Sequence, residues 1–257
     1  MKILIRLALL VLVVCTGSSV QAQTKKQKKG TFYLALGSHR IFYTPSDIRV
    51  IRGTTPSFDF TLENVKAKDE GGLRWKTAPE FSYTVGYYFT KKNFGIEYQY
   101  DHIKYFVTPN QRVHIKGTIN GERLNKDTTL TDDFFKMEHS DGGNYAMVNL
   151  VKWWPLMETK SGRPFIDLMA KAGIGIVNPK TNTTILGHHR DDQYHFSGYV
   201  MGAESGLRVH FLKHFFITGS FKGAFANYNH FLIDDGFGQH KIFSGAFNYL
   251  VGGQFGL

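Results

Sequence analysis

The sequence predicts an all-β protein: an eight-stranded antiparallel up-and-down transmembrane β-barrel with long extracellular loops and short periplasmic turns. Three observations predict this fold. Eight segments alternate apolar residues with polar or small ones, as strands with two different faces do. These segments run about 10 to 17 residues, whereas strands of soluble sheets average about 5 or 6. The connections between them are short and long in strict alternation, which is typical of barrels that cross a membrane.

The N-terminus predicts export. Lys2 and Arg6 precede an apolar run, and Val20-Gln21-Ala22 fits a small-residue cleavage site, so residues 1–22 are interpreted as a signal peptide. Residues 23–30 form a basic lead, and residues 31–257 form the barrel. Cys15 leaves with the signal peptide, so we expect a mature chain without disulfides.

The strands are predicted in order along the chain. Each has one continuous apolar face, and its opposite face carries charged, polar or small residues. The predicted segments are 31–43, 80–89, 93–101, 144–154, 163–176, 195–211, 215–226 and 243–257. Since a tilted strand of about 9 to 11 residues crosses a bilayer, each segment is long enough to span one. Lipid then lies against the apolar face.

The connections predict the topology. Residues 90–93, 155–163 and 212–214 form short turns, and residues 44–77, 108–142, 178–193 and 229–239 form longer connections. Short turns on one side and long loops on the other require an even number of strands. Both chain ends then lie on the periplasmic side. Aromatic residues beside the short turns predict a girdle at that membrane surface: Tyr87, Tyr88, Phe89, Trp153, Trp154, Phe215 and Phe216.

The C-terminal strand FNYLVGGQFGL alternates up to Phe255 and ends on Leu257. It resembles the signal that outer-membrane barrels present to the barrel assembly machinery. The whole mature chain resembles the small eight-stranded outer-membrane β-barrel families, such as the membrane domain of outer membrane protein A. The resemblance implies a monomer in the cell outer membrane, in contact with outer-membrane lipid and lipopolysaccharide.

The inward face predicts a plugged lumen. An eight-stranded barrel is just wide enough for its own side chains, and charges of both signs on this face can pair. The predicted network contains Glu80, Glu97, Asp101, Asp167, Lys171, Glu204, Arg208 and Lys222. A structural salt-bridged plug is the favoured interpretation. A proton or ion path, or a narrow small-solute channel, is the alternative.

One short motif suggests chemistry. His195-Phe196-Ser197 is predicted to start the sixth strand, with His195 and Ser197 on the lipid side near the outer leaflet. The pair resembles the H-x-S motif of the outer-membrane lipid A 3-O-deacylases, which implies Ser197 as nucleophile and His195 as base. Gly198 follows where that family has Asn, and Glu204 lies on the inward face. We therefore expect no catalytic contact between the two side chains.

The long connections are where a function is expected. Residues 58–65, 112–120 and 132–140 contain alternating stretches that predict hairpins above the membrane, forming either a binding surface for an unknown extracellular ligand or a taller barrel rim. The predicted function is non-enzymatic, either structural or receptor-like and adhesive. His188, His189, Asp191, Asp192 and His195 could ligate a transition metal, but a polar loop is favoured. No metal, other cofactor or nucleic acid is expected; the net charge of +10 includes the lysines of the basic lead.

Overall fold

The computed structural model describes residues 30–69, 80–139, 142–191 and 193–256. The predicted signal peptide and residues 23–29 lie outside the described residues. Among those described, no helix is long and apolar enough to cross a membrane. The strands, in chain order, are β1 (Thr31–Tyr43), β2 (Ser46–Arg52), β3 (Phe58–Val65), β4 (Ala67–Lys68), β5 (Phe81–Phe89), β6 (Phe94–His102), β7 (Tyr105–Val107), β8 (Arg112–Ile119), β9 (Glu122–Thr129), β10 (Phe135–His139), β11 (Tyr145–Glu158), β12 (Pro164–Val177), β13 (Asn182–Ile185), β14 (His188–Asp191), β15 (Gly198–Phe211), β16 (Phe215–Ile233) and β17 (Gly236–Gly256).

Eight of the described strands form a closed antiparallel ring. Their order is β1, β5, β6, β11, β12, β15, β16 and β17, and β17 pairs back with β1. The closing pair runs from Thr31 opposite Gly256 to Tyr43 opposite Ser244. The predicted barrel is therefore confirmed. The first and last residues of the ring, Thr31 and Gly256, lie at the same end of the barrel as the short turns. We call this end the turn end.

The outer wall of the ring is apolar. Large side chains that a soluble protein would bury are exposed here, such as Leu150 at 64% and Ile174 at 70%. Their neighbours along the same strands are buried in the lumen, so the alternation continues around the barrel. An apolar wall of this extent indicates contact with lipid, because exposing so much apolar surface to water is unfavourable.

The opposite end of the barrel carries a folded structure. β17 continues beyond its pairing with β1 and pairs with β2, and the sheet then runs on through β3, β8 and β9. A second sheet faces it, in the order β14, β13, β10, β7 and β4. We call β2–β4, β7–β10, β13, β14 and the distal ends of β16 and β17 the dome. The long connections predicted at 44–77, 108–142 and 178–193 thus contain strands of their own.

The dome has an apolar core that continues into the barrel. Alternate residues of β3, β8 and β10 point into it and are almost fully buried. The core then extends to side chains of the upper lumen. Its almost fully buried members include Ile48, Val50, Phe60, Leu62, Tyr105, Leu130, Val177, Val200, Tyr228, Phe231 and Ile242. The two sheets therefore pack as a sandwich on top of the ring.

Two predicted boundaries are wrong. The expected loop at 229–239 is a tight hairpin, because β16 continues to Ile233 and β17 starts at Gly236. Asp235 takes the positive φ of 48° that such a turn needs. The sixth barrel strand starts at Gly198, three residues after the predicted start at His195. The φ of Gly198 is 147°, which breaks the alternation there.

Candidate functional site

The centre of the lumen is a buried ion network. Lys171 Nζ lies 2.6 Å from Glu97 Oε1 and 3.3 Å from Glu204 Oε2. Glu204 also accepts a hydrogen bond of 2.6 Å from Ser220, and Glu97 accepts one of 3.0 Å from Tyr33. One ammonium group therefore bridges two carboxylates, and the other oxygen of each carboxylate accepts a hydrogen bond from a hydroxyl group. Hydrogen bonds of this kind offset the cost of burying charged groups.

A second pair lies toward the dome. Lys222 Nζ is 2.6 Å from Asp101 Oδ2. The other oxygen of Asp101 accepts hydrogen bonds from Ser82 at 2.7 Å and from Gln99 at 3.0 Å. Gln99 Nε2 also lies 3.3 Å from Glu204 Oε2, so it links the two halves of the network.

The network partners come from neighbouring strands. Lys171 of β12 stands directly opposite Glu204 of β15, and Glu204 stands opposite Lys222 of β16. Asp167 and Lys171 lie four residues apart on the same face of β12, but they do not pair with each other. Four residues along a strand span about 13 Å, whereas strands lie about 4.8 Å apart.

The turn end of the lumen holds a cation between aromatic rings. The guanidinium carbon of Arg208 lies 3.9 Å from the centre of the Phe216 ring, 4.2 Å from Trp153 and 5.0 Å from Tyr33. Two of its nitrogens, Nε and Nη1, find no hydrogen-bond partner within the described residues. The contact is therefore a cation–π cluster. Arg208 does not pair with Glu204, which lies four residues away on the same face of β15 and is paired with Lys171.

This cluster corrects the predicted aromatic girdle. Tyr88 and Phe216 are buried at 7% and 0% exposure, and Trp153 stacks on Tyr88 with ring centres 4.1 Å apart. They point into the lumen because each adjoins an outward residue of the same strand. Trp154 and Phe215 lie on the outer wall, as predicted. A signal for the inward Phe216 ring was Gly252, because a side chain at that position would occupy the space of this ring.

Besides Arg208, two residues of the predicted network lie apart from it. Asp167 Oδ2 is 2.8 Å from His210 Nε2 near the turn end. Glu80 precedes β5 at the dome end, where its backbone oxygen accepts a hydrogen bond of 3.0 Å from Ser38. Neither carboxylate is paired with Lys171 or Lys222 among the contacts of the described residues.

The packed lumen leaves little free space. A cavity of about 10 Å³ lies between Lys222, Asp101, His39 and Tyr145, which is the volume that one water molecule needs. The Arg208 cluster lies on its turn side, and the apolar core of the dome lies on the other side. A hydrated solute therefore has no route through the part of the lumen that the structure describes.

The His195–Ser197 pair does not have the geometry that the deacylase resemblance implies. Ser197 is fully buried rather than lipid-facing, so that prediction is wrong. Its hydroxyl donates a hydrogen bond of 3.1 Å to the backbone oxygen of His195. The His195 ring lies against His230 instead, with ring centres 5.6 Å apart. The backbone of Ser197 is held as well, since its oxygen accepts hydrogen bonds from Asn229 and His230.

The dome core contains a buried histidine pair. His139 Nε2 lies 3.2 Å from His240 Nε2, and His139 Nδ1 lies 3.0 Å from Thr181 Oγ1. The rings of His139 and Tyr228 stack 4.9 Å apart. Because burial disfavours the charged form, it lowers the pKa of His139 to about 3 and also lowers the pKa of His240.

The candidate metal ligands of the third connection are spread over different elements. His188, His189 and Asp191 belong to β14, His195 lies beyond the strand, and Asp192 lies outside the described residues. In the described part of the chain, no group of three or more His, Cys, Asp and Glu side chains is arranged to hold a metal ion.

Comparison with known proteins gives similarity in structure alone. No protein-family model and no curated protein sequence matches the chain. Ail, the attachment invasion locus protein of Yersinia pestis, is 12% identical; the match covers 88% of this chain and 99% of Ail, with a TM-score of 0.37. Neisserial surface protein A is 10% identical, with coverages of 88% and 99% and a TM-score of 0.39. The outer-membrane protease OmpT from Escherichia coli is 8% identical, with coverages of 93% and 100% and a TM-score of 0.36.

These structural neighbours are outer-membrane β-barrel proteins. Their sequence identities to this chain are 12% or lower and their TM-scores are below 0.4, so these matches do not establish what the chain does. What it does must therefore be argued from its own residues.

Proposed function

We propose that this protein is a non-enzymatic outer-membrane barrel that binds an extracellular ligand through its dome, as a receptor or adhesin does. The observation that carries the proposal is the apolar core shared by the two dome sheets. Closing the barrel needs only turns, as residues 90–93 and 212–214 demonstrate at the other end. The barrel does not need the dome in order to close. Ordering the backbone of the dome costs conformational entropy, and the burial of its apolar core offsets this cost.

The hairpin β8–β9 forms the free edge of the first dome sheet. Residues of β9 are exposed on both faces of the sheet, and the strand pairs only with β8 among the described strands. Arg123 and Lys126 make no ion pair within the described residues. An ordered edge with uncommitted charges is accessible to a macromolecule approaching from outside the cell.

The sealed lumen supports the same proposal. The ion network, the Arg208 cluster and the dome core occupy the interior of the barrel. This favours a function at the surface of the dome over transport of a solute through the lumen. Ser197 is buried, and its hydroxyl is bonded to the His195 backbone rather than to the His195 ring, which supports the non-enzymatic proposal over the deacylase alternative.

The experiment compares cells that express the whole protein with cells that express a variant whose hairpin is shortened, residues 114–127 being replaced by a Gly-Asn turn. We expect the whole protein to increase adhesion to at least one coated surface among an immobilised glycoprotein, a sulfated polysaccharide and a protein matrix. The shortened variant should lose the increase while keeping its barrel. Equal adhesion of the two strains on every surface would contradict the proposal.

A matched control separates this result from a charge effect. Lys213 lies in a turn at the far end of the barrel, so Lys213→Gln removes one positive charge and leaves the dome unchanged. Its adhesion should equal that of the unmodified protein.

A further inference from the structure

A polar groove lies on the outer wall where the dome meets the barrel. It has a volume of about 630 Å³, and residues of β2, β16 and β17 line it, together with Thr44 and Asn64. β16 bends here, because a β-bulge shifts its register between Tyr228 and Phe231. Bulges of this kind often lie beside functional sites, where they redirect side chains.

The groove displays hydrogen-bonding groups that the chain does not use. The side-chain amides of Asn227 and Asn229 and the ammonium group of Lys241 have no partner within the described residues. Lys241 stands directly opposite Asn227 on the neighbouring strand, so a cation and an amide share one side of the groove. An ammonium group beside an amide suits a phosphate next to hydroxyl groups.

The other side of the groove supplies acceptors. Asp47 lies on it, with Oδ1 accepting a hydrogen bond of 2.9 Å from the backbone of Asn64. This bond fixes the carboxylate while leaving Oδ2 unengaged among the described contacts. A carboxylate and several amides facing each other can bind the paired hydroxyl groups of a sugar ring, which are both donors and acceptors.

The lower edge of the groove reaches the lipid-facing wall. Phe243 lines it and is 60% exposed, and its ring lies 4.9 Å from that of Phe225. Phe247 and Phe42 follow on the same wall, with ring centres 5.9 Å apart. Aromatic belts of this kind mark the membrane surface, so an occupant of the groove meets apolar rings below and polar groups above.

We propose that this groove binds the phosphorylated saccharide head group of a glycolipid in the outer leaflet. Lys241 with Asn227 holds the phosphate, Asp47 and Asn229 bind sugar hydroxyls, and Phe243 contacts the part next to the acyl chains. The inference uses the proposed orientation of the dome toward the cell exterior. It does not use the proposed adhesive function, which involves the hairpin β8–β9.

The test measures lipid binding to the full-length purified protein by native mass spectrometry. Deep-rough lipopolysaccharide is the probe, and phosphatidylglycerol is the anionic lipid without sugar. We expect the unmodified protein to retain lipopolysaccharide in preference to phosphatidylglycerol. The variant Asn227→Ala/Lys241→Gln should bind lipopolysaccharide about thirtyfold more weakly, as expected for losing a charge-assisted hydrogen bond and a neutral one.

The control variant is Lys136→Gln, which removes an exposed lysine of β10 outside the groove and should leave the affinity unchanged. Equal binding by the double variant and the unmodified protein would overturn the proposal, as would equal retention of phosphatidylglycerol. Free core oligosaccharide, without its acyl chains, should compete poorly. Competition as strong as that of the intact glycolipid would overturn the assignment to a membrane lipid. A failure of cell adhesion leaves all these readouts unchanged, so the two proposals fail separately.

Discussion

Lys171 is the residue on which the lumen network depends most. Its ammonium group is the shared partner of Glu97 and Glu204, all three being almost fully buried. Replacing it with Met leaves two carboxylates facing each other without a cation. We expect Lys171→Met to lower the free energy of unfolding by about 3 to 5 kcal/mol, as for other broken buried ion pairs, measured by urea titration in lipid vesicles.

The control for this variant is Lys152→Met, which removes a lysine from the outer wall of β11, 6.0 Å from the Trp154 ring. It should change stability much less. The triple change Lys171→Met/Glu97→Gln/Glu204→Gln should recover most of the loss, since neither carboxylate is then left charged without a cation. Equal losses for Lys171→Met and Lys152→Met would show that the network does not stabilise the barrel.

Ser197 is a structural residue in this account. Its hydroxyl is bonded to the His195 backbone and is out of reach of lipid. We expect Ser197→Ala to leave the acylation of lipid A unchanged in mass spectra of lipid A from expressing cells. Stability should fall by about 1 kcal/mol, because one buried hydrogen bond is lost. Altered acylation in the variant alone would establish catalysis.

Single residues also mark the limit of prediction from sequence. Alternation assigned Lys171, Glu204 and Arg208 to the inward face, because that face follows from period two alone. It could not assign their partners. Glu97 lies 74 positions from Lys171, and the contact depends on the register of strands and on which strands are neighbours.

The buried histidine pair predicts that the stability of the dome depends on pH. The pKa of His139 is lowered to about 3 and that of His240 is lowered too, whereas both titrate near 6.5 in an unfolded chain. Above pH 6.5 both states are neutral, so the pair does not change stability with pH. Below it the unfolded state binds more protons, and stability falls as pH falls toward about 3.

We therefore expect the dome to lose protection against hydrogen exchange between pH 6.5 and pH 4, while the barrel strands keep theirs. The double variant His139→Phe/His240→Phe should lose less protection over this interval, because it has no proton to bind there. Exchange must be corrected for the intrinsic pH dependence of amides. If the variant and the unmodified protein respond identically, the pair is not the sensor.

The dome was the element that sequence analysis described least well. Residues 229–239 contain Asn229, Asp234, Asp235 and two glycines, which are common in loops, and a loop was predicted. In the fold, Phe231 and Ile233 point into the dome core at 0% and 1% exposure. Their burial depends on β2 and β10, which are distant in sequence. By contrast, lipid on one side and a packed lumen on the other impose alternation locally on each barrel strand.

At the scale of the molecule, the barrel is a sealed support for the dome. The ion network and the Arg208 cluster fill the lumen beside a cavity of about 10 Å³, which holds about one water molecule. We expect no stable single-channel current when the purified protein is inserted into planar bilayers. A reproducible current that Lys222→Met or Arg208→Met alters would show that the lumen conducts.

The central claim is that the dome faces the cell exterior, on the far side of the membrane from the short turns. Single-cysteine labelling in intact cells tests it most directly, since Cys15 lies in the predicted signal peptide and leaves the background clear. A membrane-impermeant maleimide should label Asn125→Cys in β9 on intact cells. It should label Lys213→Cys only after the outer membrane is permeabilised. Labelling of Lys213→Cys on intact cells, with Asn125→Cys protected, would contradict the account.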